Sequence, residues 1–84
     1  THPPFTAPGA THPAQILVVD GDARDRAAIV KTLIGAGYTV DAVGEGRRAL
    51  EMFATGDYRA ITLDVALPDM SGVDVLEAIR SGTG

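Results

Sequence analysis

Apolar and polar positions along this chain change period repeatedly, and that rhythm outlines a fold. Ile16-Leu17-Val18-Val19 is continuously apolar, the pattern of an interior strand covered on both faces. Over residues 24–36 the apolar positions Ala27, Val30, Ile34 and Ile29, Leu33, Ala36 recur at helical spacing and predict a helix with a wide apolar stripe, N-capped by Asp22. Gly35 and Gly37 supply its stop. Residues 38–43 then alternate Tyr38, Val40, Ala42 against Thr39, Asp41, Val43, which predicts a strand at the outside of the sheet. Gly44-Glu45-Gly46 opens a second helix whose Ala49, Leu50 and Phe53 share a face, and Gly56 closes it. Ala60-Ile61-Thr62-Leu63 reads as a third strand. Ser71 heads a third helix as its N-cap, with Asp74 in a capping-box position and Val73, Leu76 and Ile79 expected to face inward.

Strand-helix units with short connections make a parallel sheet, and right-handed crossovers leave few arrangements. An apolar first strand, an alternating second and an apolar third fit the order 2-1-3, with the first two helices on opposite faces. In that order the connections diverge between the first and third strands, and open α/β sheets bind ligands outside the carboxyl ends at such a switch point. Both of those strands end in an acid, Asp20 and Asp64, and Asp22 follows close behind the first. Asp64 begins a loop punctuated by Pro68 and Gly72. A shared acidic site is therefore expected where the two strands end.

Composition narrows the setting. The chain has 84 residues, enough for one small domain with one core. It has no cysteine, which excludes disulfides and thiolate metal sites. No apolar run approaches the roughly 20 residues that span a bilayer, and no basic-then-apolar leader opens the chain, so a soluble, unexported, cytoplasmic protein is expected. Seven basic against eleven acidic residues give a net charge of -4, with Arg47-Arg48 the only basic pair, so direct nucleic-acid binding is not expected. Residues 1–15 hold four of the five prolines and both histidines but no charged side chain, and read as a flexible Pro-rich arm ahead of a domain at 16–84. His2 and His12, ten residues apart on such an arm, offer no metal-ligand geometry.

The Leu-Val-Val-Asp strand, the Gly-Tyr after the first helix and the Asp-x-x-x-Pro-x-x-x-Gly spacing of Asp64, Pro68 and Gly72 resemble the receiver domain of two-component response regulators. The resemblance runs from Ile16 to about Arg80. It implies the first three βα units of a flavodoxin-like receiver fold, without the last two. It further implies that Asp64 is the phosphoacceptor, taking a phosphoryl group from a sensor histidine kinase or phosphotransfer protein. Such a domain is a signalling module and not an enzyme; at most it assists its own phosphoryl transfer. Mg2+ would be held by Asp20, Asp64 and the Ala66 main-chain carbonyl, with Asp22 a further candidate. Pro68 would shape the loop, and Gly72 would let the chain turn closely into the third helix.

The sequence departs from the family pattern in two places. Family members usually carry a second adjacent acid after the first strand, and here that position is Gly21, which should weaken Mg2+ binding. The hydroxyl residue and lysine that follow in the family's last two units are not found in these 84 residues, and the sole lysine, Lys31, maps to the first helix. A chain of this length leaves the third strand as an apolar edge, from which self-association as a homodimer is expected. A pseudo-receiver that binds a partner without phosphoryl chemistry is the alternative. Metal-dependent hydrolysis of outside phosphate substrates is disfavoured, because the sequence supplies no recognisable substrate-binding lysine or arginine for the site. The bland reading of Asp20 and Asp22 is that they cap the first helix, a role compatible with the other.

Overall fold

The computed structural model describes residues 14–82. The expected Pro-rich arm, through residue 13, and both histidines lie outside the described residues. The elements run β1 (Ile16–Val19), α1 (Ala23–Gly35), β2 (Val40–Val43), α2 (Gly46–Thr55), β3 (Ala60–Leu63) and α3 (Gly72–Arg80). The three strands form one parallel sheet in the order β2-β1-β3, as the pattern predicted. Register is level across it: Ile16 pairs with both Val40 and Ala60, and Val19 with both Val43 and Leu63. Level register brings all three carboxyl ends to one edge.

Pleating divides β1 between two layers. Leu17 and Val19 cluster with Ala49 of α2, and Val43, Met52, Phe53, Tyr58, Ile61, Leu63 and Leu67 pack around them. Ile16 and Val18 point to the opposite face, which α1 covers. All four residues of β1 are buried, which is why this strand reads as an unbroken apolar run. At the amino edge of the sheet Gln15 joins the fold: its N–H donates to the Thr39 carbonyl at 2.9 Å, and its carbonyl accepts from Arg59 N–H at 2.8 Å. Tyr58 Oη donates to Asp41 Oδ2 at 2.5 Å, tying the α2–β3 connection to β2. Burial and this bond together hold the Tyr58 phenol well above its usual pKa.

Helix ends follow local chemistry. Asp22 caps α1 by accepting from Asp25 N–H at 3.0 Å. Gly35 is the last residue of α1, and the stop belongs to Gly37, whose φ of +99° suits glycine. Ser71 caps α3 through Val73 N–H at 3.1 Å, and among the described residues Asp74 returns no reciprocal bond.

Two expectations about facing are corrected. In α3 the fully buried side chain is Val75, while Val73 and Leu76 are 50% and 41% exposed; of the expected inward set, Ile79 is half-buried. Gly72, with no side chain to accommodate, is pressed against Asp64 and Val65 at the start of the loop that leaves β3, and Val75, not its neighbours, packs against Gly46 at the start of α2. In α1 no residue is fully buried: Ile29, Val30 and Leu33 are half-buried, and Ala27, Ile34 and Ala36 are exposed. Among the described residues α1 lies on its face of the sheet without a flanking helix, so only the middle of its stripe is covered.

Candidate functional site

The acids expected to meet do so through the sheet. Val19 and Leu63 are register partners, so Asp20 and Asp64, one residue further, leave neighbouring strands at the same level. Main-chain bonds fix both departures: Asp20 N–H donates to the Val43 carbonyl at 3.1 Å and Asp64 N–H to the Val19 carbonyl at 2.9 Å. Asp20 is buried and Asp64 half-buried. Asp20 Oδ1 accepts from Asp22 N–H at 2.9 Å, a tight turn closed by the aspartate itself. Asp64 Oδ1 accepts from Ala66 N–H at a longer 3.3 Å. Asp22, with Asp20 and Asp64 behind it, concentrates negative charge, and this raises the pKa of the exposed Asp25 carboxyl.

The loop after β3 is folded back on itself. Gly72 N–H donates to the Val65 carbonyl at 2.8 Å, and Ala66 and Ser71 form an isolated antiparallel bridge. Gly72 sits so close to the start of the loop that a Cβ there would lie 2.0 Å from the Asp64 carbonyl oxygen. A Cβ on Gly21 would lie 3.2 Å from both the Ala66 carbonyl oxygen and Pro68 Cδ, so the loops after β1 and β3 face each other at the position where the sequence lacks its second acid. The donor set at this edge is all oxygen: two carboxylates and the nearby Ala66 carbonyl, which suits a hard cation such as Mg2+ that retains several waters. Among the described residues no three His, Cys, Asp or Glu side chains converge as a cage, and the oxygen of Asp22 that caps α1 is taken up by Asp25 N–H. A cation here would depend on main-chain oxygen and water for the rest of its shell.

Two contributors escaped sequence reasoning. Arg26 Nη1 donates to the Asp20 carbonyl at 2.8 Å and lies against Gly44, bracing the end of β1 against the β2–α2 connection. Asp69 accepts from Gly46 N–H at 2.7 Å and Arg47 N–H at 2.9 Å, and these two amides hold its carboxyl below its usual range. The only sequence signal for Asp69 was an acid in a loop; its partners lie more than 20 residues away. An open cleft of about 560 Å3 beside it is lined by Glu45, Arg47, Arg48, Glu51, Asp69 and Met70, and by neither strand-end acid.

Comparison with known proteins agrees with this architecture. Transcriptional regulatory protein TcrA of Mycobacterium tuberculosis is 38% identical over 77 residues, covering 92% of this chain and 30% of TcrA. Response regulator MprA of Mycobacterium ulcerans is 40% identical over 67 residues, covering 80% of this chain and 29% of MprA. The chain thus spans under a third of these relatives. The crystal structure of response regulator TrrA from Thermotoga maritima, in complex with Mg2+-BeF, superposes with a TM-score of 0.78 at 36% identity, covering 80% of this chain and 58% of TrrA. The family profile of the response regulator receiver domain matches residues 16–83. Because that match runs from the first strand through the last helix, over a sheet with the strand order its sequence predicted, this chain belongs to the response regulator receiver domain family.

Proposed function

We propose that this chain is a phosphoacceptor receiver, with Asp64 taking the phosphoryl group from a phosphohistidine on a sensor kinase or phosphotransfer protein in the cytoplasm. The observation that carries the reading is the juxtaposition of Asp64 and Asp20 at level strand ends, with the Ala66 carbonyl facing the β1–α1 turn. An Asp64 carboxylate oxygen attacks phosphorus, the N–P bond of the donor breaks, and the imidazole nitrogen leaves with the electron pair to be protonated. A carboxylate is a weak nucleophile, so positioning and charge neutralisation supply most of the rate. Asp20, Asp64 and the Ala66 carbonyl would hold Mg2+, which when bound offsets the charge gathering between carboxylates and phosphoryl oxygens. The chain's own part is to fix Asp64 through its main-chain bond to β1 and to keep the Ala66 carbonyl turned toward Asp20's loop.

Phosphoramidate with Mg2+ tests the reading. Intact-mass spectrometry should find one alkali-labile phosphoryl adduct, lost in Asp64→Asn. No adduct on folded protein would favour the second reading, a pseudo-receiver that binds without phosphoryl chemistry, which Gly21 supports by removing a carboxylate from beside Ala66. The same reading includes self-association through β3, which pairs on only one side among the described residues. Sedimentation showing a folded monomer would sink that part alone. Among the described residues no helix is long and apolar enough to cross a membrane.

A further inference from the structure

The start of α2 is served from outside its own segment. Glu45, at its N-cap position, makes no side-chain cap, yet the first amides of an isolated helix need acceptors. Asp69, at the tip of the β3–α3 loop, provides them, one carboxylate oxygen to Gly46 N–H and the other to Arg47 N–H. Its charge also lies favourably at the positive end of the helix. The next residue, Met70, fills the space where a Cβ on Gly46 would be, with Met70 Cγ only 2.4 Å from that point, so the loop tip and helix start are fitted to each other. The near side of the same loop, Ala66 and Pro68, leans on Gly21. Asp69 is thus the polar attachment at the far end of a loop whose near end carries the candidate Mg2+ carbonyl.

We propose that Asp69 is a positioning residue of the phosphoacceptor site: by capping α2 from the β3–α3 loop it holds the Ala66 carbonyl toward Gly21 and Asp20. The role rests on the phosphoacceptor reading for its chemical consequence, but the clamp itself is a property of the loop. A helix cap alone would stabilise α2 and leave the loop's hold on Ala66 unchanged. The clamp makes the two inseparable, because the capping acid comes from the loop.

The experiment compares Asp69→Ala, Asp69→Asn and the double variant Glu45→Ser/Asp69→Ala, in which serine gives α2 a cap of its own without restoring the tether. Amide hydrogen exchange is read at Gly72, whose N–H closes the loop on Val65, with Val18 in β1 as internal reference. Mg2+ half-saturation is read from phosphoramidate labelling in the same variants. Expected is an increase of about tenfold in Gly72 exchange relative to Val18 in Asp69→Ala, persisting in the double variant after its thermal midpoint recovers. Asp69→Asn retains one acceptor oxygen and should fall between wild type and alanine. Labelling should need several times more Mg2+ in the alanine variants. If the added serine restores Gly72 protection together with stability, or if Asp69→Ala leaves Gly72 protection unchanged, Asp69 is a cap and the proposal is overturned. If the wild-type protein takes no phosphoryl group, the phosphoacceptor reading fails, and the exchange comparison still decides the clamp.

Discussion

Replacing Gly72 with alanine puts one methyl group where the fold has no room. Its Cβ would lie 2.0 Å from the Asp64 carbonyl oxygen, 2.9 Å from the Asp64 carbonyl carbon and 3.0 Å from Val65 Cα, all main-chain atoms of the segment that leaves β3. No side chain can rotate away to relieve this. The backbone must recede by about an ångström, which breaks the 2.8 Å bond from Gly72 N–H to Val65 and loosens the Ala66–Ser71 bridge. Overpacking of this kind costs ~1 to 3 kcal/mol and a lost protected hydrogen bond about 1 more, while alanine's lower chain entropy returns only ~0.5 to 1. A net loss of about 2 kcal/mol is expected, a large share of the ~4 to 12 kcal/mol typical of a chain this size. Urea titration followed by circular dichroism should show the midpoint falling by about 2 M for a slope near 1 kcal/mol/M. Gly35→Ala is the control, because nothing lies within 4 Å of its Cβ and the position is helical; it should be neutral or stabilising by ~0.5 kcal/mol. A Gly72→Ala loss below ~1 kcal/mol would mean that the loop yields easily and is not the rigid support described above.

Other consequences can be read in the same protein. Gly21→Asp adds a carboxylate beside the Ala66 carbonyl, with contacts of 3.2 Å that ask its neighbours to give by tenths of an ångström, and should tighten Mg2+ on the order of tenfold by titration calorimetry; unchanged affinity would separate Gly21 from the metal. Val75→Ala should cost about 2 kcal/mol in urea melts, whereas Leu76→Ala should stay within ~0.5, a contrast that reverses if Leu76 is the inward residue of α3. Asp25 should titrate above 3.8, so its ionised form weakens the fold at neutral pH and ceases to as pH drops through that value. Mg2+ should pull that titration back down in carboxyl-detected NMR, and a Mg2+-independent curve would count against a cation near Asp20 and Asp64. Asp69 has the opposite sign: its contribution is full above 3.8 and is lost only as pH falls below it, so Gly46 and Arg47 amide shifts should hold steady down to that pH.

Much of this is legible in the residue pattern. The unbroken apolar run of β1 could only be an interior strand, because four successive buried side chains need cover on both faces. With β1 central and short right-handed connections, the order β2-β1-β3 followed, and with it the meeting of Asp20 and Asp64. Caps at Asp22 and Ser71 were local events between residues two or three apart, within reach of pattern.

What the pattern left open were the choices made by packing at a distance. Val73, Leu76 and Val75 lie on adjacent strips of one helix, and periodicity cannot tell which strip turns inward; packing against the start of α2, where Val75 meets Gly46, decides it. The stripe of α1 gave no hint that only its centre would be covered, since coverage depends on neighbours and not on the helix itself. Asp69 capping a helix 22 residues earlier, and Arg26 bracing Asp20, leave no periodic trace because each partner is supplied by a different loop. Sequence alone determined the order of the strands and the edge at which the acids gather, because burial and chain connectivity are written into residue pattern. Only the tertiary structure decided how the loop carrying Asp64 is held, because hydrogen bonds between separate loops depend on where the whole sheet has brought them.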